Sequence, residues 1–192
     1  ERFFEIRFIE PKIFRFLNNV IQKNWICYDV GAHCGVVSLE LCKLVGKTGF
    51  VYSFEPIESN ANILEKSLLS RYSSISSIIK CAISNHNGFV KMERGDHSTT
   101  WRIEKKSICE NEENIECRSL DSFHEILRNP DFVKVDIEGA EVDLVKGAEH
   151  YIEKIRPLWL IEMHGDKSYD ILKYYLKNKY KIFNIDGISL KE

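Results

Sequence analysis

The chain has no apolar run of about 18 residues, and it opens on no basic-then-apolar leader with a small-residue cleavage site. The expectation is a protein with neither a membrane span nor a secretory signal within these residues. Its 6 cysteines include no C-x-x-C pair. Cys27, Cys42 and Cys81 fall in apolar strand and helix patterns and read as small core residues rather than ligands or disulfide partners, which points to a reducing, cytoplasmic setting. Neither sign of charge is in excess: 27 Lys and Arg stand against 29 Asp and Glu, for a formal charge of -2. Nothing therefore marks a polyanion-binding surface, and nucleic acid is not an expected partner. The dinucleotide fingerprint Gly-x-Gly-x-x-Gly is also missing, because His33 and Val36 stand where its second and third glycines belong.

What is present is a chain of 192 residues, 44% hydrophobic and 29% charged, long enough to bury a sizeable core as one domain. It is organised around Ile26–Gly35, an apolar strand entering a turn flanked by Gly31 and Gly35 and then the helical stretch Val36–Val45. Such a junction lets the backbone turn sharply, pass close to a ligand and present free amides at a helix start. A second apolar strand, Gly49–Pro56, ends in Glu55, near the position at which a βαβ unit sets an acid against ribose hydroxyls. Asp29, at the end of the first strand, would repel a pyrophosphate. A cationic or zwitterionic cofactor suits it better. The order strand, helix, strand, helix, strand over Ile26–Ile83 predicts a doubly wound α/β sheet, with the second helix over about Ser59–Leu69, Ile63, Leu64 and Leu68 facing inward, and Ser59 or Glu58 near its cap. Ile75–Ile83 reads as a third strand. Phe89–Glu93 and Thr99–Ile103 read as a hairpin, Glu104–Glu116 as a solvated loop, Ile115–Cys117 as a short strand and Leu120–Leu127 as a short helix.

Two further segments concentrate ionisable groups. In Asp131–Glu141, strand periodicity puts Val133, Val135 and Ile137 on one face and Lys134, Asp136 and Glu138 on the other. Such a charged row inside a sheet demands pairing or function. Gly139 ends the strand, and Glu141 falls in the first turn of the next helix, where the dipole favours it. Leu158–Met163 then brings Glu162 and His164 to the same end of a neighbouring strand. The four groups read as a general acid/base apparatus or as a divalent-metal site of carboxylates and one imidazole, two alternatives that the residue order does not separate. An imidazole at its ordinary value, about 6.5, would accept a hydroxyl proton at neutral pH.

The blocks DVGAHCG, VYSFEP, VKVDIEGAE and WLIEMHG occur in the order and spacing of the FkbM-like class I S-adenosylmethionine-dependent methyltransferases, which the chain resembles over roughly residues 20–165. The resemblance implies a mostly parallel, Rossmann-like class I methyltransferase sheet with helices on both faces. It implies S-adenosylmethionine against Asp29, Gly31, Ala32, His33, Gly35, Glu55 and Pro56, with adenine on Ala82, Ile83 and Ser84. Asp29 would meet the methionyl amino group and Glu55 the ribose. The D-x-E-G-x-E block would face the transferred methyl; the placing of residues two apart on two adjacent strands, and not the resemblance, makes Asp136 and His164 the central pair, with Glu138 and Glu162 positioning them or completing a Mg²⁺-type site and Lys134 keeping the carboxylate ionised. The implied reaction is O-methylation of a hydroxyl on a sugar or other small metabolite. One departure is His33, where the family commonly has asparagine; both residues tolerate positive φ. An inactive methyltransferase-like binding or scaffold module is the alternative.

Upstream, Ile13, Phe14, Leu17, Val20 and Ile21 recur at helical spacing after Pro11, predicting an amphipathic helix over about 12–23. Residues 1–25 read as a helical cover segment and 26–192 as the methyltransferase domain. The cover helix either closes the sheet edge or mediates self-association or membrane-surface contact. At the other end, Tyr169–Lys177 reads as a helix with Ile171, Leu172 and Tyr175 inward, followed by closing strands at Tyr180–Ile185 and Ser189–Lys191.

Overall fold

The fold is that of a computed structural model, which describes residues 11–94, 101–103, 113–164, 166–177 and 179–186. Five parallel strands form the main sheet in the order β3-β2-β1-β8-β9: β1 (Ile26–Val30), β2 (Phe50–Phe54), β3 (Ser76–Ile79), β8 (Phe132–Val135) and β9 (Leu158–Ile161). A second sheet of order β4-β7-β5-β6 contains β4 (Ala82–Ser84), β5 (Gly88–Arg94), β6 (Trp101–Ile103) and β7 (Glu113–Ser119). Strands β1, β2 and β8 are buried on both faces and read as nearly continuous apolar runs, as parallel strands between helical layers must.

One helical layer contains α1 (Pro11–Val20), α2 (Val36–Val45) and α3 (Glu58–Leu69). Leu17, Ile21, Leu41, Val45, Leu64 and Leu68 pack there against Cys27, Val51 and Phe132 of the sheet. Helix α2 starts after Gly35, at φ 93°, and stops at Gly46, at φ 71°, both left-handed positions that glycine occupies without a Cβ clash. The apolar face of α1 is used within the chain: Leu17 is fully buried. In α3, Ala61, Leu64 and Leu68 are inward while Ile63 is 52% exposed, a correction to the inward set. Its N-cap position is Ile57, with Glu58 next to it in the first turn, as expected near the cap. On the opposite face, α4 (Glu141–Lys146), α5 (Asp166–Leu176), a 3₁₀ turn over Leu120–Phe123 and a π-helical turn over Tyr151–Ile155 cover Tyr28, Val30, Tyr52, Phe54, Val133 and Val135.

Several expected elements are placed differently. The run Ile75–Ile83 is two strands in two sheets: β3 pairs with β2, the chain turns at Cys81, whose N–H donates to Ile79 O at 3.0 Å, and β4 pairs with β7. Lys80, at the turn, is exposed while Ile75 and Cys81–Ser84 are buried, a single polar residue outweighed by the apolar run on either side. Strand β5 pairs antiparallel with β6, in the register Met92↔Ile103 to Arg94↔Trp101; the connection over 95–100 and the stretch 104–112 lie outside the described residues. Residues 113–116, assigned to the solvated loop, belong to β7. Near the C-terminus, Ile171 is 47% exposed and Phe183 makes only an isolated bridge; the expected strand at 189–191 and the side chain of residue 175 lie outside the described set. No helix among the described residues is long and apolar enough to cross a membrane.

Candidate active site

The turn after β1 is tied to the end of β2. Gly31 and Ala32 N–H both donate to Phe54 O at 3.0 Å, and His33 N–H donates to Glu55 Oε2 at 2.8 Å. Gly31 takes φ 77° and His33 φ 51°, a left-handed conformation that histidine, like asparagine, tolerates better than most residues. A Cβ on Gly31 would lie 1.8 Å from Asp136 O. The turn therefore rests directly on the backbone leaving β8, an approach that only glycine permits.

Glu55 is buried, and its carboxylate accepts three bonds: His33 N–H on Oε2, with Ile57 N–H at 3.0 Å and Asn60 Nδ2 at 3.3 Å on Oε1. Burial raises its pKa, and the three donors partly oppose that rise. With about four acceptor sites on a carboxylate, one remains for a ligand hydroxyl. Asn60 was not legible as a site residue, since only the fold brings the first turns of α3 under Glu55.

Beneath the turn lies a buried polar network. Ser38 Oγ donates to Asp29 Oδ2 at 2.6 Å and shares a 2.8 Å bond with Ser53 Oγ. Lys134 Nζ stands 3.4 Å from Asp29 Oδ1 and 3.4 Å from Asp136 Oδ2, and donates to Gly31 O at 3.2 Å. Burial alone would lower the Lys134 pKa, but the charges of Asp29 and Asp136 outweigh it and raise the value. Asp29 is fully buried and does not line the cavity above it.

Strand β8 ends at Val135, one residue before Asp136, so the row Lys134, Asp136, Glu138 is not one face of a strand. Asp136 follows the strand end, its N–H donating to Val30 O at 3.0 Å, and Glu138 is turned by φ 53°. Both carboxylates come to one side with His164. His164 Nε2 is 3.8 Å from Asp136 Oδ1 and 3.7 Å from Glu138 Oε2, while Nδ1 meets Glu141 Oε1 at 2.9 Å. Glu141 is fully buried and also accepts Gly139 N–H at 2.8 Å. Its part here was hidden by a sequence position that a helix dipole already explains. The Glu141 hydrogen bond pushes the His164 pKa up to about 9; burial opposes this, and the charges of Glu138, Glu141 and Asp136 add to it. The ordinary value expected for this imidazole is thus corrected: His164 carries its proton through neutral pH and yields it only as the pH rises through 9. Glu162 is exposed just past the end of β9, its N–H donating to Val135 O, and partial desolvation of its carboxyl together with the charge of Asp136 raises its pKa.

One cavity of about 300 Å³ joins these parts, a volume at the lower end for ligand sites. Its walls include Gly31–Cys34, Glu55–Ile57, Asn60, Cys81–Ile83, Met92, Lys134, Asp136 and Glu138. Ser84 is buried outside it, its carbonyl against Gly147. Gly35, His164 and Glu162 lie off the wall, Gly35 because its Cα faces Leu64. Cys34 and Met92 join the wall without having been singled out by their sequence context.

A doubly wound parallel sheet with a glycine-flanked turn after its first strand, an acid after its second and acids after its fourth defines a class I methyltransferase domain. A sequence model of the FkbM methyltransferase domain matches residues 29–182, and the chain belongs to that family. The FkbM methyltransferase of Methylobacillus flagellatus superposes with a TM-score of 0.62 at 22% identity, over 81% of this chain and 37% of that protein. An S-adenosylmethionine-dependent O-methyltransferase from Thermotoga maritima gives 0.54 at 12% identity, over 88% and 50%. An rRNA methylase from Streptococcus thermophilus gives 0.52 at 14%, over 86% and 76%. At such identities these likenesses speak for the fold alone, and this chain spans 37% and 50% of the first two proteins. No curated protein matches the sequence. Family membership makes S-adenosylmethionine the cofactor that the cavity must fit. The unused acceptor site on Glu55 and the wall formed by Gly31–Cys34 fit it.

Proposed function

We propose that this domain transfers a methyl group from S-adenosylmethionine to a hydroxyl of a sugar or another small metabolite. A single cavity runs from the β1 turn and Glu55 to Asp136 and Glu138, and this continuity is the observation that carries the reading. The cofactor supplies an electrophilic methyl on a sulfonium. Residues Gly31–Cys34 offer it backbone, Glu55 accepts a ribose hydroxyl, and Cys81–Ile83 offer the adenine an apolar wall. Asp136 accepts the hydrogen bond of the acceptor hydroxyl and so aims its oxygen into the cavity. Lys134 fixes the Asp136 carboxylate from below, and the His164 ring stands beside it with Nε2 3.8 Å from Oδ1.

Incubating the protein with methyl-labelled cofactor and separate sugar, phenol, protein and RNA pools tests the acceptor class. Label in sugars or phenols is the expected result. Label confined to RNA or protein overturns the acceptor assignment, and tight binding of S-adenosylhomocysteine without transfer to any pool marks a binding module instead. Two variants divide the site. Glu55→Gln should weaken S-adenosylhomocysteine about 10-fold or more, the equivalent of one charged hydrogen bond at about 1.5–3 kcal/mol. Asp136→Asn should leave that affinity within a few-fold and lower turnover by about 100-fold or more.

A further inference from the structure

Three carboxylates, those of Asp136, Glu138 and Glu141, surround the His164 ring. The nearest other cation, Lys134, divides its charge between Asp136 and Asp29. The separations of Nε2 from Asp136 Oδ1 and Glu138 Oε2, 3.8 and 3.7 Å, are too long for hydrogen bonds. One donor atom from each of Asp136, Glu138 and His164 lies within 4.8 Å of the others. Ligands about 2.0–2.2 Å from a shared ion stand about 3–3.5 Å apart when adjacent and a little over 4 Å when opposite. The three groups thus frame a gap of ionic size rather than a closed contact.

A separate observation concerns Glu141. It is fully buried, its Oε1 is held between Gly139 N–H and His164 Nδ1, and its Oε2 has no hydrogen-bond partner among the described residues. A buried carboxylate oxygen left without a donor is expensive unless positive charge lies close by. A carboxylate on one ring nitrogen, with the other nitrogen facing two more carboxylates, is the arrangement by which proteins orient a metal-binding imidazole.

We propose that Asp136, Glu138 and His164 bind a divalent cation, which takes the place of the proton on His164 Nε2 and releases it to water, with Glu141 as the positioning residue behind His164. One nitrogen and two carboxylate ligands shift the preference from Mg²⁺ toward Mn²⁺ or Zn²⁺. Asp136 and Glu138 line the cavity and His164 does not, so the open coordination positions face the acceptor. Resting on the function proposed above, this narrows the acceptor to a hydroxyl with a neighbouring oxygen, such as a vicinal diol, able to chelate the ion. An oxygen–metal bond forms, the hydroxyl O–H bond breaks, and its proton leaves to water.

The test needs neither cofactor nor acceptor. Chelator-treated protein is titrated with Mn²⁺, free ion is followed by electron paramagnetic resonance, and nitrogen coupling to the bound ion is read by pulsed methods. The expected result is one Mn²⁺ per chain with a dissociation constant below about 1 mM, coupled to one imidazole nitrogen and displaced by Zn²⁺. His164→Ala should lose the nitrogen coupling. Asp136→Asn and Glu138→Gln should each weaken binding about 10-fold or more. Glu141→Gln should weaken it about 10- to 100-fold, while Glu65→Gln on α3 should leave it unchanged. Folding of each variant is checked by circular dichroism, and Glu138→Gln, being partly exposed, keeps the test valid if Glu141→Gln fails to fold. No binding up to millimolar Mn²⁺, or binding without nitrogen coupling, overturns the site. Methyl transfer undiminished in EDTA would remove the metal while leaving the proposed function standing; Mn²⁺ binding without S-adenosylhomocysteine binding would do the reverse.

Discussion

At Gly31 a single hydrogen atom separates the turn after β1 from the backbone that follows β8. Adding a methyl there meets Asp136 O at 1.8 Å and loads a left-handed φ of 77°. Gly31→Ala should cost about 3 kcal/mol or more from overpacking and strain together. Calorimetry with S-adenosylhomocysteine should find its affinity reduced at least 10-fold. Cys34, four residues from the same strand, has its thiol pKa lowered by the hydrogen bond from His33, against the opposing effect of burial. Cys42 and Cys81 are pushed up to about 12 by burial, and burial raises Cys27 and Cys117 as well. A lowered pKa keeps the thiolate present at lower pH, so iodoacetamide at pH 7 should label Cys34 first in a Cys109→Ser background. The rate should rise with a midpoint below about 8.5, the usual value for a free thiol. Mass spectrometry after timed labelling checks this, and His33→Ala should move the midpoint up.

Strands β1, β2 and β8 hold their polar groups in one row. The register pairs Asp29 with Ser53 on one side and with Lys134 on the other. Replacing Lys134 by Met leaves two carboxylates buried or half-buried without their cation, and should cost about 3–5 kcal/mol. Urea unfolding monitored by fluorescence should show the lower midpoint with an unchanged slope. The parallel strands and their helices were legible in the sequence because an unbroken apolar run between helical stretches has few other solutions. The tight turn after β1 and the acid after β2 that accepts its His33 N–H were legible through Gly31, Gly35 and Glu55. The limits lie where one residue serves a contact made elsewhere: Asp29 is buried against Ser38 and Lys134, Glu141 was masked by its helix position, and the break at Cys81 is marked only by the exposed Lys80. The charge state of His164 depends on three carboxylates from another segment, which residue order alone does not bring together.

Across the molecule, the seam between the sheets runs through Gly147. A Cβ there would meet Ser84 O at 2.1 Å, while Gly147 O accepts Asp121 N–H at 2.9 Å and Asp121 Oδ2 accepts His150 N–H at 2.9 Å. Gly147→Ala should destabilise the fold by about 1–3 kcal/mol and weaken S-adenosylhomocysteine without touching the cavity, as urea unfolding and calorimetry together would show. The seam also divides the cavity's walls by origin. The turn and Glu55 are bound to each other through Phe54 O and His33 N–H and belong to the main sheet, whereas Ala82, Ile83 and Met92 belong to the second. Enlarging the ligand at the turn must disturb several mutually supporting bonds at once; enlarging it on the other side meets the flexible thioether of Met92. This makes the domain suited to orthogonal labelling: Met92→Ala should accept a cofactor analogue swollen at the purine while the wild type rejects it, with the transferring end held as before.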